Sequence, residues 1–143
     1  AHAMTQSLLE RLKVEMARAP YHAFLDPAPV SVDEAAGEVK VLFRAKPEFR
    51  RAYDSDDWHG GVLAAMCDIA AHAAVAVRLG DMAPTIDLRV DFLAPARGDL
   101  VATGKLLRLG RSIGRADVEI TDPDGKLVAV GRAVFSALSA QPK

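Results

Sequence analysis

Between His59 and Leu79 the sequence HGGVLAAMCDIAAHAAVAVRL carries three groups able to act on a carbonyl: a glycine pair at its start, Asp68 in its middle and His72 four residues later. The glycines of His59-Gly60-Gly61 open a helix, where the first backbone N–H groups have no intrahelical partner and the helix dipole is positive. Without side chains to cover them, those N–H groups can approach a substrate oxygen and stabilise a developing oxyanion. Glycines at this point can equally serve tight packing, and His59 can equally be a cap.

Asp68 stands among alanine, methionine and isoleucine, with no basic residue within one helical turn except His72. Placing a carboxylate in apolar surroundings costs several kcal/mol unless something offsets it, so its presence needs a reason. Desolvation suits a general base or a nucleophile working near neutrality; a structural acid bonded across an interface is the other explanation. His72 could orient or pair with Asp68, or be a core histidine bonded to a backbone carbonyl. Gly60 and Asp68 are eight residues apart, about 12 Å along one helix axis. One carbonyl cannot meet both on a single helix, so two antiparallel copies related by a two-fold axis are expected to pair Gly60 of one chain with Asp68 of the other.

Other patterns are weaker. Gly110-Arg111-Ser112-Ile113-Gly114 matches G-x-S-x-G, but a strand follows it where a nucleophile elbow needs a helix, and no histidine lies beyond His72. A hairpin turn accounts for it better. Asp122-Pro123-Asp124-Gly125 lacks the spaced acids and final glutamate of a calcium loop. No zinc-ligand spacing or phosphate loop is present, and neither a metal nor a cofactor is expected. Cys67 is the single cysteine, so no intramolecular disulfide can form, which fits a reducing cytoplasm. Its apolar neighbours should leave the thiol inert.

The elements that must hold these groups follow from patterning. The segment from Val62 to Val77 is apolar on all sides, which predicts a helix surrounded by protein. Its length also meets the criterion for a membrane span, but Asp68 near the centre would cost roughly 2.5–3.5 kcal/mol there, and alanines give little drive. A buried core helix is the better reading. Upstream, Thr5 is the expected N-cap of a helix reaching about Ala17, which Pro20 ends. Val30 and Val32, then Val39, Val41 and Phe43, alternate with polar neighbours across Gly37 and predict a hairpin.

Residues 46–58 read as a polar loop. After Gly80, Thr85 to Phe92 is the cleanest alternation in the chain, with Ile86, Leu88, Val90 and Phe92 expected on the helix side and Thr85, Asp87, Arg89 and Asp91 facing away. Strands at about 99–109, 113–121 and 126–138 complete a meander. The expected fold is α+β, a curved antiparallel sheet of about six strands wrapped around one long central helix. One domain spans 4–143, with 4–19 an N-terminal helix; Ala1 to Ala3, ahead of Met4, read as an expression remnant. The N-terminus shows no export signal. A formal charge of −1, with 18 basic and 19 acidic residues interspersed, argues against nucleic acid as the main partner.

His59-Gly60-Gly61 with Asp68 nine positions after the histidine, the strand Thr85 to Phe92 running into Leu93-Ala94-Pro95-Ala96, and the closing Gly131-Arg132-Ala133 resemble the hotdog-fold acyl-CoA thioesterases of the phenylacetate-degradation, PaaI-like type. The resemblance covers about residues 20–138. It implies hydrolysis of a coenzyme A thioester in the cytoplasm by a homodimer or a homotetramer built as a dimer of dimers, with neither nucleic acid nor membrane as partner. The implied catalytic set is Asp68 as general base or nucleophile, Gly60 as backbone donor, Thr85 as a water-positioning hydroxyl, and His59. The implied substrate contacts are Gly61, Tyr53, His72 and the turn Gly110, Arg111 and Ser112. Tyr53 stands where many relatives carry asparagine or glutamine. A hotdog hydratase or dehydratase places its acid farther from the histidine, and a non-catalytic acyl-CoA-binding module would have no need of Asp68.

Overall fold

The computed structural model describes residues 7–138. In chain order they form α1 (Leu8–Ala17), α2 (Pro20–Leu25), β1 (Ala28–Asp33), β2 (Glu38–Phe43), a 3-10 turn (Pro47–Phe49), β3 (Arg50–Ala52), β4 (Ser55–Trp58), α3 (Gly60–Leu79), β5 (Thr85–Phe92), β6 (Leu100–Leu109), β7 (Ile113–Thr121) and β8 (Leu127–Ser136). Six strands make one antiparallel sheet in the order β1-β2-β6-β7-β8-β5, while β3 and β4 form a separate ribbon. The sheet curls around α3, which is the α+β architecture expected of a hotdog fold.

Alternation explains how the sheet and helix fit. In β2 Val39, Val41 and Phe43 point inward, and in β7 Ala116, Val118 and Ile120 do the same; all six are at most 1 % exposed. They share one core with Met66, Ala70 and Ala74 of α3, equally buried. Each large side chain removed from water in this way contributes about 1.5–3 kcal/mol. The closest approach is at Gly104 of β6, where an added Cβ would lie 2.3 Å from the Ala70 carbonyl oxygen. By length and composition α3 could cross a membrane, yet 61 % of its apolar window is buried inside the fold. It is the core helix.

Several expectations are corrected. The sheet is not a meander. Strand β5 follows the helix in sequence but lies at the edge against β8, and β6 pairs with β2 instead, because residues 93–99 carry the chain across the sheet end. Ser7 caps α1, its hydroxyl accepting the Glu10 N–H at 3.2 Å; Thr5 lies outside the described residues. Pro20 does more than end α1, since its fixed φ starts α2 at the first position. Residues 46–58 hold a 3-10 turn and a two-stranded ribbon, short elements whose polar composition hid them.

The helix is not covered on every side within one chain. Val62, Ala64, Ala65, Asp68 and His72 form a stripe along α3 that is only half-buried. The Thr85 expectation also reverses. A bulge between Thr85 and Asp87 shifts the pairing by one residue, so Thr85 opposes Phe135 and Leu88 opposes Ala133. Phe135 and Ala133 are fully buried, and Thr85 thus shares the helix-facing side with Leu88 and Val90. Ile86, expected to cover the helix, is 57 % exposed.

Candidate active site

The site is built at the corner where β4 enters α3. Three backbone-directed bonds fix that corner: Trp58 N–H to the Ala96 carbonyl at 2.9 Å, Trp58 Nε1–H to the Gly98 carbonyl at 2.9 Å, and His59 N–H to the Phe49 carbonyl at 2.7 Å. Asp57 adds an ionic tie. Its side chain is 6 % exposed and takes Arg97 Nε at 2.5 Å and Arg51 Nη2 at 3.0 Å. The hydrogen bond from Arg97 holds this carboxyl below the usual carboxylate range, with both guanidinium charges helping against the opposing effect of burial.

His59 is the N-cap of α3, with φ −64° and ψ 133°, and its Nδ1 accepts the Gly61 N–H at 2.8 Å. An imidazole that accepts at Nδ1 carries its proton at Nε2, so His59 works here as a cap and not as a base at that nitrogen. The Gly61 N–H is accordingly occupied. The Gly60 N–H has no acceptor among the described residues and lies at the positive end of the helix dipole. A Cβ at Gly60 would touch the Phe92 ring at 3.5 Å, so an aromatic wall stands beside this donor.

Two turns into α3, Asp68 is half-buried on the open stripe, and its Oδ1 accepts the Thr85 hydroxyl at 2.8 Å. Oδ2 has no hydrogen-bond partner among the described residues. His72 does not bond Asp68. Its Nε2 accepts the Ala83 N–H at 3.1 Å, and its Nδ1 lies 3.7 Å from Glu15 Oε2. The partner is thus a backbone N–H and not the carbonyl expected. Burial pushes the His72 pKa down, with Glu15 and Asp68 acting against it. Cys67 is fully buried against Gly131, and burial, aided by Asp68, pushes its thiol up to about 12, which fits an inert role.

The remaining expected contacts are not gathered around Asp68 within one chain. Tyr53 is fully exposed at the tip of the β3–β4 ribbon, where only its carbonyl is engaged, by Arg50 Nη1 at 3.2 Å. Gly110, Arg111 and Ser112 form the β6–β7 hairpin turn, closed by Gly110 N–H to the Ile113 carbonyl at 2.8 Å. With Arg108 and Arg115 they line a cationic cavity of about 470 Å³. Another cavity of about 470 Å³ opens beside the β4–α3 corner, with Pro47, Phe49 and Trp58 as its apolar lining and Lys46, Arg50 and Arg97 as its cations.

Sequence reasoning missed three contributors. Phe92 was read only as a core position, although the last residue of an alternating strand is also the one nearest a helix start packed across its end. Asp57 was lost in a polar stretch; an acid directly before an aromatic and a histidine cap was the only signal. Glu15 gave none, because its meeting with His72 joins elements 57 residues apart.

Comparison with known proteins gives the family and the fold. Residues 56–129, which contain the corner, α3 and β5 to the start of β8, match the thioesterase superfamily. Over 113 residues the chain is 37 % identical to the medium/long-chain acyl-CoA thioesterase YigI of Salmonella typhimurium, covering 67 % of this chain and 72 % of that protein. Among solved structures, a phenylacetic acid degradation-related protein of Ralstonia eutropha JMP134 superposes with a TM-score of 0.78 at 29 % identity, over 91 % of this chain and 99 % of that one. The PaaI protein from the Escherichia coli phenylacetic acid degradation operon gives a TM-score of 0.78 at 24 % identity over 91 % and 95 %, which bears on the fold alone.

Proposed function

The chain belongs to the thioesterase superfamily and is a thioester hydrolase, and from that premise we propose that it cleaves coenzyme A thioesters at a site shared by two copies of the chain. The observation that carries this reading is the Asp68 carboxylate, held at Oδ1 by Thr85 while Oδ2 is left without a partner on the uncovered stripe of α3. A base so oriented can take one proton from a water molecule. The water oxygen then attacks the thioester carbonyl, the carbon–sulfur bond breaks, and the proton passes to the departing thiolate to give the free acid and coenzyme A. Direct attack by Asp68 is the nucleophilic variant of the same arrangement.

Charge that develops on the carbonyl oxygen needs a donor, and the unpaired Gly60 N–H at the positive helix end supplies one. Gly60 and Asp68 of one helix are about 12 Å apart, so the reacting carbonyl sits between Asp68 of one chain and Gly60 of the partner subunit. Two further observations support a second copy: the half-buried stripe on α3, and the free edge of β5, where Ile86 and Phe92 are each more than half exposed. An exposed apolar edge strand is a template for pairing with another chain. His59 serves by holding Gly61 and the helix start. Coenzyme A as the carrier rests on the acyl-CoA thioesterase similarity, and the arginines around the Gly110–Ser112 turn suit its phosphates.

Free-thiol release from short, medium, long and aryl acyl-CoAs tests the proposal, with Asp68→Asn beside the native protein. At least one acyl-CoA is turned over, and Asp68→Asn loses about 10²-fold or more. Failure to hydrolyse any acyl-CoA would refute the substrate class, and near-native turnover by the variant would remove Asp68 from the chemistry.

A further inference from the structure

The proposed reaction uses Thr85, the first residue of β5, which pairs with Phe135 of β8. Five residues, Gly80 to Pro84, connect α3 to it, and several contacts help to hold them. Gly80 N–H bonds the Ala76 carbonyl at 2.8 Å, Arg18 Nη1 reaches Met82 Sδ at 2.8 Å, His72 Nε2 accepts the Ala83 N–H at 3.1 Å, and the Pro84 carbonyl accepts the Ser136 N–H at 2.8 Å. Among these, His72 alone comes from the middle of the central helix, one turn from Asp68.

The imidazole touches Thr85's surroundings twice. Ala83, two residues before Thr85, is bonded to its Nε2 and is 1 % exposed. Phe135, the residue directly opposite Thr85 in the β5–β8 ladder, packs against its edge with ring centroids 5.5 Å apart. A ring that accepts at Nε2 must carry its proton at Nδ1, and Nδ1 faces the Glu15 carboxylate at 3.7 Å. Glu15 is itself gripped by Arg18 at 3.0 and 3.1 Å, and its carbonyl is bonded to His22 Nδ1 at 2.9 Å. The charged and titratable groups around His72 are therefore Glu15 of α1, Arg18 at its C-cap, His22 of α2, and Asp68 of α3.

We infer that His72 is a positioning residue: its Nε2, with the Glu15 carboxylate facing Nδ1, anchors the Ala83 N–H and thereby aims the Thr85 hydroxyl at Asp68. The inference rests on the function proposed above and adds α1 to the machinery. Its chemistry is that of a neutral imidazole accepting at Nε2, with a carboxylate facing the nitrogen that carries the proton. No proton moves between His72 and substrate.

The test is a double-mutant cycle on acyl-CoA hydrolysis. His72→Leu removes the acceptor and His72→Gln offers a side-chain oxygen in its place; each is made in the native and in the Thr85→Val background. His72→Leu lowers kcat roughly 2- to 13-fold, the range set by one neutral hydrogen bond, and leaves KM unchanged. His72→Gln recovers most of that loss, and neither variant costs anything further once Thr85 is Val. A purely structural histidine would cost the same in both backgrounds, and that result overturns the inference.

An NMR titration of the native protein needs no variant and holds if His72→Leu does not fold. The Ala83 amide moves with the same midpoint as the His72 ring, below the ordinary histidine value. An Ala83 amide that ignores the His72 titration also overturns the inference. Asp68→Asn measured alongside separates the two layers. Retained turnover refutes the parent reading and the positioning with it, whereas lost turnover combined with additive His72 and Thr85 effects refutes the positioning alone.

Discussion

Replacing Gly104 with alanine drives one methyl group into the backbone of the central helix. The new Cβ would stand 2.3 Å from the Ala70 carbonyl oxygen, 2.9 Å from its carbon and 3.2 Å from Val39 Cγ2. Comfortable contact needs about 3.5 Å, so α3 and β6 must separate by about 1 Å at this point. Overpacking of a core costs about 1–3 kcal/mol, and the upper end applies because a helix backbone cannot rotate aside as a side chain can. At about 3 kcal/mol the melting temperature falls by about 10 °C for a chain of this size. Gly125→Ala is the control. Its φ of +81° strains an L-residue, but no atom lies within 4 Å, so it costs about 1–2 kcal/mol through backbone conformation alone. Urea unfolding followed by circular dichroism measures both, with an unchanged slope expected for each. Because Ala70 is two residues from Asp68, Gly104→Ala should also slow acyl-CoA hydrolysis, which Gly125→Ala should not. A Gly104→Ala protein as stable as Gly125→Ala would refute the seating of α3 on β6.

Thr85→Val is expected to cost kcat less than Asp68→Asn, since it removes one neutral hydrogen bond worth roughly 0.5–1.5 kcal/mol; equal losses in thiol release would mean the roles are assigned wrongly. On the acid side, stability depends on pH through His72 and Asp57. Burial lowers the folded-state pKa of His72 below 6.5, so the unfolded chain binds the proton first; the contribution is full above 6.5 and is lost as pH falls through the lowered value. Urea midpoints from pH 8 to 5 should fall, and His72→Gln should flatten that fall. Asp57, lowered below 3.8 chiefly by the Arg97 hydrogen bond, gives the same sign in a more acidic window: stability present above 3.8 is lost as pH drops through the folded value, and Asp57→Asn removes this loss.

The long elements were legible because their periods are unambiguous. An apolar run from Val62 to Val77 with Asp68 inside it reads as a buried helix rather than a membrane span, and the alternation of Val39-Val41-Phe43 or Ala116-Val118-Ile120 reads as strands with one buried face. Pairing was not legible, because period two identifies strands without naming their neighbours; β5 follows α3 directly yet pairs with β8. Thr85 was placed on the wrong face for a related reason: one bulged residue inverts the parity of a strand and leaves no mark in composition. At the site, the free Gly60 donor and the His59 cap were readable from helix-start chemistry. The burial of Asp57 and the Glu15–His72 contact depend on chain segments far apart in sequence, and no local pattern encodes them. Asp68 was expected to be enclosed by apolar neighbours, but helix geometry puts it on a stripe that one chain leaves half-open.

That half-open stripe is where the two-chain site can be tested, by mixing two inactive proteins. Asp68→Asn lacks the proposed base, and Gly60→Pro lacks the proposed donor N–H while remaining compatible with a first helical position. After subunit exchange at equal amounts, about half the dimers are mixed, and each mixed dimer holds one site with both groups intact and one with neither. Acyl-CoA hydrolysis should therefore recover to roughly a quarter of the native rate. Exchange verified by differently tagged subunits, with no recovery of activity, would contradict the shared site and the assignment of Gly60 and Asp68 to one reaction.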